Sequence, residues 1–479
     1  MARRRIQERS ARTAQLCAGF AAIRTELAIP AQYPRAALVE ADAMARAPRL
    51  PPDVGHAVVD ATDLPFVTLD PLGSTDLDQA MALDRLGAGY RVHYAIADVA
   101  SFVPPGGSLD LETHARAVTL YSPDLRTPLH PPVLSEQAAS LLPDGERPAV
   151  LWRIDLDHDG AVVDVDVRRA RVRSRARLDY GSVHHAYESG HPDLWLVLLR
   201  EIGELRREIE IARGAVDVRV PDQEIEALDG GFHLVNRVST PVESWNAQVS
   251  LLTGMCAARL MIDGRVGVLR TMPAPSADDL DAVRRTARAL GIEWPSWQSY
   301  PELIRSLDPA VPVHAAFLEA ATSLLRGAGY TPFDGELPTL STHSAVAAPY
   351  AHVTAPLRRL VDRYGQEVAV ALCAGRAVPE WVQAALPGLA TDMRAGDQRA
   401  RTLDHACVDF MEAVLLARRV GQVFSAVVVQ RRGDAYAVQL ADPPVRAHAA
   451  GEGLELGERV RLRLTEADPA TRTVRFVPA

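Results

Sequence analysis

Lysine is absent from this sequence of 479 residues, in which all 52 basic side chains are arginines. Codon bias in a GC-rich genome is the simplest explanation of that composition. Whatever its origin, the absence excludes a P-loop lysine for binding nucleotide phosphates. It also excludes a Schiff-base lysine and a lysine nucleophile, so covalent catalysis through a lysine amine is impossible here.

Cysteine is scarce as well, and the four cysteines are far apart and form no CxxC pair: Cys17, Cys256, Cys373 and Cys407. That usage predicts a reducing compartment, with neither a disulfide framework nor a zinc knuckle. No segment approaches the roughly 18 apolar residues that a membrane span needs. The initial Met-Ala-Arg-Arg-Arg is not followed by the apolar run of a secretory signal. We therefore expect a cytoplasmic protein that does not associate with a membrane.

An excess of positive charge is also missing, because the formal net charge is −9. This balance argues against a protein whose whole surface is basic and suited to duplex DNA. It leaves room for a local basic channel, since the distribution of charge matters more than its sum. The length by itself predicts about three domains.

The hydrophobic pattern changes from helical to strand-like and back along the chain. Residues 1 to 60 have the apolar spacing of helices, and the proline-rich stretch 48–52 then marks a linker. From Phe66 onward, short alternating segments predict strands, including a hairpin around Asp159-Gly160. Longer helices are predicted over residues 193–213, 242–262, 276–290 and 357–375. The middle of the protein is therefore predicted to be α+β, with strands early and helices later.

The last segment, residues 416–479, has the pattern of an all-β domain. Four short strands are predicted to begin at Phe424, Ala435, Arg459 and Thr473, with turn residues between them. Five-stranded OB-fold barrels of this size bind single-stranded nucleic acid. The alternative is a barrel that only packs against the rest of the protein.

Three carboxylates, those of Asp70, Asp76 and Asp78, lie within nine residues of one another in a segment that also contains Pro71 and Gly73. Such a segment predicts a tight loop that can fold its carboxylates around one point. Clustered carboxylates repel one another, so they usually indicate a divalent cation such as Mg²⁺. The alternative is an ordinary solvated acidic turn. The apolar runs on both sides of the loop favour the metal-binding interpretation, because they join it to buried structure.

Several blocks of the sequence, in order, resemble the ribonuclease II (RNB) family. The first runs from Phe66 to Ala80 and contains the three aspartates, and Tyr94-Ala-Ile-Ala-Asp-Val-Ala follows it. Tyr121-Ser-Pro and the stretches 131–135 and 140–143 continue the resemblance. The late block is the stretch 350–362, in which a threonine, a small residue, a proline and an arginine open a helix.

The resemblance implies an RNB-type catalytic domain over residues 61–415. A small helical N-terminal module (1–60) would precede it, and a C-terminal OB-fold barrel (416–479) would follow. The implied activity is processive hydrolysis of single-stranded RNA from its 3′ end to nucleoside 5′-monophosphates. The implied cofactor is Mg²⁺, with Mn²⁺ as a possible substitute, and we expect a monomer.

The resemblance also assigns roles to individual residues. Asp70, Asp76, Asp78 and Gln79 correspond to the metal ligands, and Asp76, Asp78 and Arg358 to the catalytic groups. Contacts with RNA are expected from Tyr121, Tyr350, Thr354 and Arg358. A stacking ring holds a base without reading its sequence, and a guanidinium is suited to phosphate. The alternatives are a half-buried core tyrosine for Tyr121 and a surface arginine for Arg358.

Three positions depart from the family pattern. Gln79 replaces a fourth aspartate, so the metal site is expected to carry one charge fewer. Gln248 stands where the family often has a glutamate, and Leu360 replaces an aromatic residue after the arginine pair. These departures bear on metal stoichiometry and rate more than on the class of reaction.

Most relatives begin with two cold-shock-type barrels, for which the small helical module leaves no room. We hypothesise that the RNA entrance is built differently and accepts structured RNA with a 3′ overhang.

An arginine stripe, defined as Arg169, Arg171, Arg173, Arg175 and Arg177, alternates with small or apolar residues. On a strand these side chains share one face, where Arg171, Arg173 and Arg175 could line a channel for the RNA backbone. The alternative is a solvated strand face paired with nearby acids. Two other functions stay open: a catalytically impaired RNA-binding protein and a metal-dependent DNA exonuclease.

Overall fold

The computed structural model describes residues 2–49, 58–190, 192–218, 222–228, 231–237, 239–432, 435–440, 442–451 and 453–479. The helices are α1 Ala2–Glu26, α2 Arg35–Arg46, α3 Ser108–Arg116, α4 Tyr180–Glu188, α5 Leu194–Ala212, α6 Pro241–Gly264, α7 Ala277–Ala289, α8 Tyr300–Ser306, α9 Pro312–Ala321, α10 Leu360–Cys373 and α11 Glu380–Leu416. None of the helices in these ranges has the length and apolar character to cross a bilayer.

The strands of the first half are β1 Val59–Asp60, β2 Phe66–Asp70, β3 Gln79–Leu86, β4 Gly89–Ala97, β5 Leu120–Ser122, β6 Leu125–Thr127, β7 Glu146–Leu156 and β8 Val162–Asp179. Later in the chain follow β9 Asp222–Leu228, β10 Gly231–Arg237, β11 Val266–Thr271, β12 Gly329–Asp334, β13 Val423–Arg432, β14 Ala435–Leu440, β15 Arg446–Ala450, β16 Arg459–Asp468 and β17 Thr473–Pro478. The predicted α+β class is confirmed, with most strands of the central part preceding its long helices.

Strand β8 closes the main sheet on itself. The six strands have the order β1-β8-β2-β3-β4-β7, and β8 also pairs with β7. The first part of β8, as far as Arg173, is antiparallel to β7. Its last part, from Ser174 to Asp179, runs parallel to β2 and ends opposite Asp70. The end of β2, where the acidic loop begins, is therefore held against β8.

The four long helices predicted from periodicity are confirmed as α5, α6, α7 and α10. The start of α6 has a capping box, in which the side chains of Thr240 and Glu243 each bond the other's backbone NH. Helix α10 begins at Leu360, three residues later than predicted. The preceding residues form a turn because the backbone NH of Leu357 donates to Asp78 instead of to a helical partner.

The C-terminal strands form a closed barrel in the order β13-β14-β15-β17-β16. The four strands predicted from sequence are present, and the predicted OB-fold barrel is confirmed. The fifth strand, β15, was not predicted individually. Its sequence Arg-Ala-His-Ala-Ala contains no β-branched or aromatic residue that would indicate a strand.

The two N-terminal helices pack against the rest of the protein. Phe20 of α1 contacts the rings of Phe232 and Phe410 edge-on, with centroids 5.3 and 5.4 Å apart. In α2, the carboxylate of Glu40 accepts a hydrogen bond from the backbone NH of Leu109 at 2.7 Å. The division of the chain into domains at residues 60 and 415 stays a prediction.

Helix α11 connects the central α+β part of the protein to the barrel, and the buried side chain of Glu412 lies near its C-terminal end. One carboxylate oxygen of Glu412 accepts hydrogen bonds from the Arg446 backbone NH at 2.7 Å and from the Gln223 amide at 2.9 Å. Burial raises the pKa of Glu412 to about 7, although these two hydrogen bonds oppose the rise. Three elements, β9, α11 and β15, thus meet at one titratable group.

We predict that Glu412→Gln changes how stability depends on pH. The folded state binds the Glu412 proton more tightly than the unfolded chain does. The contribution of this proton to the free energy of unfolding is therefore fully present below pH 4.5 and is lost as pH rises through about 7. The amide keeps an acceptor oxygen but cannot ionise. At pH 8 the variant should be more stable than the wild type by on the order of 2 kcal/mol, with little difference at pH 4.5. Urea unfolding at both pH values measures this, with the exposed Glu336→Gln as control. Parallel pH profiles for the wild type and the variant would contradict the prediction.

Candidate active site

The acidic loop occupies residues 71–78, between the end of β2 and the start of β3. The Ser140 hydroxyl accepts a hydrogen bond from the Leu77 backbone NH at 2.9 Å and donates one to the Thr75 carbonyl at 2.7 Å. Leu77 is fully buried. Gly73 has a φ of 86°, in the left-handed region that glycine adopts without strain. The predicted tight loop is confirmed, and it is tied to buried structure.

Asp78 is the most deeply buried carboxylate of the loop, with 2% exposure. Its Oδ1 accepts a hydrogen bond from the Leu357 backbone NH at 2.7 Å, and its Oδ2 lies 3.4 Å from Nε of Arg358. Burial raises the pKa of Asp78 to about 8, although Arg358 and the Leu357 NH favour the charged form. The segment that contains Leu357 and Arg358 therefore contacts the acidic loop directly.

Asp70 ends β2 and has a buried oxygen, Oδ2, without a hydrogen-bond partner. Burial raises the pKa of Asp70 to about 6, and while Arg358 opposes that rise, Asp76 adds to it. A buried carboxylate oxygen that no protein group satisfies is costly. This is a position where a cation would be stabilising.

Asp76 has a different environment, because Arg126 forms an ion pair with it. The same guanidinium donates to the Thr75 hydroxyl at 3.0 Å and pairs with Glu136 at 2.8 Å. Arg126 lies on β6, directly opposite Tyr121 on β5. Asp76 therefore already has an internal counter-ion.

Sequence reasoning missed Arg126 and Glu136. The available signal was the dipeptide Pro123-Asp124, whose residue types favour a tight turn. A hairpin around it would place Arg126 beside Tyr121.

Tyr121 and Arg358 are both accessible from solvent. Tyr121 is 53% exposed, and the Arg358 side chain is 48% exposed. Partial burial raises the pKa of Tyr121 to about 12, with Asp76 adding to the rise and Arg358 opposing it. The phenol end of the ring is thus close to the acidic loop, while part of the ring stays open to a ligand.

Arg359, the neighbour of Arg358, fixes the backbone of the late segment. It forms a two-pronged ion pair with Asp362, with N–O distances of 2.8 and 2.7 Å. Asp362 is fully buried and also accepts a hydrogen bond from the Ala355 backbone NH at 2.7 Å. These contacts hold the turn from which Arg358 reaches Asp78.

Gln79 and Thr354 also join the two segments. The side-chain amide of Gln79 donates a hydrogen bond to the Thr354 carbonyl. The Thr354 hydroxyl is 2.9 Å from that of Ser250 on α6. Gln79 thus uses its amide nitrogen in a structural contact that an aspartate could not make. Its role as a metal ligand stays a prediction.

Tyr350 lies within an aromatic cluster and keeps only part of its surface accessible. Its ring meets that of His352 edge-on, with centroids 5.4 Å apart. It also packs over Gly254, where a Cβ atom would come within 2.2 Å of the ring. The contacts with RNA expected from Tyr350 and Thr354 stay predictions.

The arginine stripe lies on β8, but its members do not share one environment. Arg169 is buried and pairs with Asp98 and Glu367, and the register of β8 against β2 shifts beside Arg175. Arg171 pairs with Asp60 at 2.6 Å and with Glu146 at 3.2 Å. Arg173 pairs with Glu146 at 2.9 Å, and Arg175 donates to the Thr62 carbonyl at 2.7 Å. Two of the three guanidiniums expected to bind RNA are therefore already paired with carboxylates. Their role in RNA binding stays a prediction.

Comparison with known proteins decides the family. A model of the RNB domain matches residues 58–373. A model of the RNase II-type exonuclease C-terminal S1 domain matches residues 422–479. The chain belongs to the RNB family. The resemblance found in the sequence motifs is confirmed.

Individual RNB-family members are distant in sequence. Ribonuclease R of Escherichia coli K12 is 25% identical over 500 residues, which cover 94% of this chain and 60% of that protein. The chain thus spans about three fifths of that relative's length. Mycoplasma genitalium RNase R, solved with ribose-methylated single-stranded RNA, has a TM-score of 0.84 at 19% identity and covers 96% of this chain and 77% of its own.

Two further solved structures widen the comparison. The same Mycoplasma protein, in complex with double-stranded RNA, has a TM-score of 0.82 at 20% identity over 96% of this chain and 82% of its own. Yeast Ssd1, described as a pseudonuclease, has a TM-score of 0.70 at 17% identity over 87% of this chain and 53% of its own. At these identities the likeness shows a shared fold.

RNB-family nucleases are metal-dependent enzymes in general, so we tested whether the acidic loop fits a metal ion. Within the described ranges, no three acidic, histidine or cysteine side chains are grouped as a metal-binding cluster. Magnesium, however, usually binds through only one or two carboxylates plus water and substrate phosphate. The unpartnered oxygen of Asp70 and the buried carboxylate of Asp78 are oxygen donors of the kind that such an ion prefers. The residues therefore fit a site completed by water and substrate.

We predict that Gln79→Glu destabilises this member of the RNB family. The substitution keeps the length of the side chain but removes the NH₂ group that donates to the Thr354 carbonyl. A carboxylate facing that carbonyl leaves an unsatisfied polar contact, which costs about 1–3 kcal/mol. Urea unfolding at pH 7.5 measures the loss, with the exposed Gln137→Glu as control. Equal unfolding midpoints for Gln79→Glu and the wild type would show that the hydrogen bond contributes nothing.

Proposed function

We propose that this protein is a magnesium-dependent 3′→5′ exoribonuclease. It hydrolyses single-stranded RNA processively and releases nucleoside 5′-monophosphates. The observation that carries the proposal is the contact of Asp78 with Leu357 and Arg358, which brings a cationic side chain to the acidic loop. The exposed ring of Tyr121 lies beside these groups, opposite Arg126 in its hairpin.

Each group has a role that follows from its chemistry. The Arg358 guanidinium binds the scissile phosphate and stabilises the negative charge that develops on it. The exposed face of Tyr121 stacks on a base at the 3′ end without reading its identity. Ion pairing of Arg359 with buried Asp362 keeps Arg358 oriented, so that little reorganisation is needed when substrate arrives.

Asp70 and Asp78 are the proposed metal ligands, and Asp76 joins them when its ion pair with Arg126 opens. A bound Mg²⁺ would polarise the phosphodiester and favour attack by water. Manganese, which takes the same oxygen ligands, is expected to substitute. The C-terminal barrel is proposed to guide single-stranded RNA.

A second candidate is an RNA-binding protein without nuclease activity. Two observations favour it: Gln79 is engaged with the backbone instead of contributing a charge, and Asp76 is neutralised by Arg126. The fold is also similar to that of Ssd1, which is described as a pseudonuclease. Retention of three mutually repelling aspartates argues against it, because a protein that had lost its metal would have no reason to keep them together.

One assay separates these functions. Purified protein is incubated with 5′-labelled RNA and DNA oligonucleotides of the same sequence, with Mg²⁺ or with EDTA. Shortening of RNA alone, dependent on Mg²⁺, supports the proposal. Binding of RNA without cleavage would establish the second candidate, and shortening of DNA would establish a DNA exonuclease.

Structured RNA is a further part of the proposal, supported by the complex of Mycoplasma RNase R with double-stranded RNA. The matching substrate is an RNA duplex with a short 3′ overhang. Degradation that continues into the duplex is the expected result. Arrest at the same distance from the duplex as in a relative with cold-shock barrels would count against a different entrance.

We predict that Asp78→Asn abolishes cleavage but leaves RNA binding intact. The asparagine Oδ1 still accepts the Leu357 NH, so the turn is preserved, while the negative charge needed at the metal is lost. Product formation and a binding isotherm with a labelled RNA measure the two properties separately. The exposed Asp84→Asn on β3 is the control and should cleave normally. Cleavage by the Asp78 variant at the wild-type rate would refute the proposed metal role.

We predict that Tyr121→Ala raises KM for RNA by about 5- to 150-fold, which corresponds to the 1–3 kcal/mol of one base-stacking contact. Tyr121→Phe keeps the ring and should retain most of the affinity. Steady-state kinetics on oligonucleotides with different 3′-terminal bases measures the effect, which should be similar for all bases. A similar loss in the phenylalanine variant would show that the hydroxyl group, and not stacking, is responsible.

A further inference from the structure

Arg126 is the cation nearest to Asp76, and its guanidinium contacts three side chains at once. Its guanidinium pairs with Asp76, donates to the Thr75 hydroxyl at 3.0 Å and pairs with Glu136 at 2.8 Å. The side chains of Arg126 and Asp76 are 23% and 12% exposed, so water screens this ion pair only in part. Arg126 therefore occupies a carboxylate that the metal site would otherwise use.

Glu136 provides a second acceptor for the same guanidinium. It lies in the short helical turn Leu134–Ala138, and its side chain is 30% exposed. If a divalent cation takes Asp76, Arg126 can keep its pairing with Glu136 and is not left without a counter-ion. The alternative acceptor lowers the cost of giving up Asp76.

The hairpin β5–β6 links this exchange to substrate. Tyr121 and Arg126 are directly opposite each other in its ladder, and side chains of opposed residues lie on the same face. Movement of the guanidinium toward Glu136 takes place beside the ring that is proposed to stack on RNA. Metal binding and base binding thus share one small structural unit.

We propose that Arg126 competes with the divalent cation for Asp76, and that Glu136 holds Arg126 when the cation is bound. The inference rests on the proposed metal site. It assigns Arg126 and Glu136 as positioning residues that set the affinity for metal. Because Glu136 acts only through Arg126, the two residues have opposite effects.

The test measures Mn²⁺ binding to the full-length protein by the EPR signal of the free ion, in the absence of RNA. Arg126→Gln should bind Mn²⁺ about tenfold more tightly than the wild type, within the usual range of coupling between sites. Glu136→Gln should bind it several-fold more weakly, because Arg126 then has only Asp76. The double variant should match Arg126→Gln, since Glu136 has no effect once Arg126 is gone.

Arg24→Gln is the matched control. Arg24 pairs with Asp124 at 2.5 Å in the turn of the same hairpin, and these side chains are 14% and 12% exposed. The control breaks a partly buried ion pair of similar exposure without touching Asp76. Its Mn²⁺ affinity should equal that of the wild type. Thermal unfolding of every variant, with and without Mn²⁺, reports loss of fold separately from loss of metal.

The possible outcomes separate this inference from the proposed function. Equal or weaker Mn²⁺ binding by folded Arg126→Gln overturns the competition, even if RNA cleavage still requires metal. Weaker binding by the double variant than by Arg126→Gln would make Glu136 a direct ligand and would also overturn it. If neither the wild type nor Arg126→Gln binds Mn²⁺ and neither cleaves RNA, the metal site and the proposed nuclease function both fail.

Discussion

Asp78 connects two segments that are 279 residues apart in the chain, because its carboxylate accepts the Leu357 backbone NH. The rest of the candidate site depends on this contact. It stops helix α10 from beginning before Leu360, and so leaves a turn from which Arg358 reaches the acidic loop. Gln79 strengthens the same junction through the Thr354 carbonyl. Without this junction, the three aspartates and Arg358 would lie in separate loops and would not form a common site.

The junction brings negative charge into a place where water is scarce, and the surrounding groups compensate each carboxylate differently. Asp78 has a backbone NH and Arg358, Asp76 has Arg126, and one buried oxygen of Asp70 has no partner. Burial accordingly raises the pKa of Asp70 and Asp78. We propose that this uneven compensation suits a divalent cation, and that the pairing of Arg126 with Asp76 lowers the affinity for it.

Much of the architecture followed from pattern. The spacing of apolar residues was regular enough to predict several elements: helices α5, α6, α7 and α10, the hairpin of β7 and β8, and four strands of the barrel. Strand β15 was missed because five residues rich in alanine carry no β signal, and only pairing with β14 and β17 makes them a strand. The arginine stripe shows what an alternating pattern alone could not predict. Its alternation indicated one shared face, but Arg169 is buried against Asp98 and Glu367, which come from distant parts of the chain. Arg171 and Arg173 instead pair with Asp60 and Glu146, which lie on the neighbouring strands.

Local sequence was therefore sufficient for the class of fold, for the acidic loop and for the family, since these depend on neighbouring residues and on ordered motifs. The partners of each charge were decided by the tertiary structure. Nothing near Asp76 in the chain indicates Arg126, and nothing near Gln79 indicates the Thr354 carbonyl. Hydrogen bonds and ion pairs act over a few ångströms in space, so the state of a buried carboxylate is set by groups that folding brings to it from distant parts of the chain.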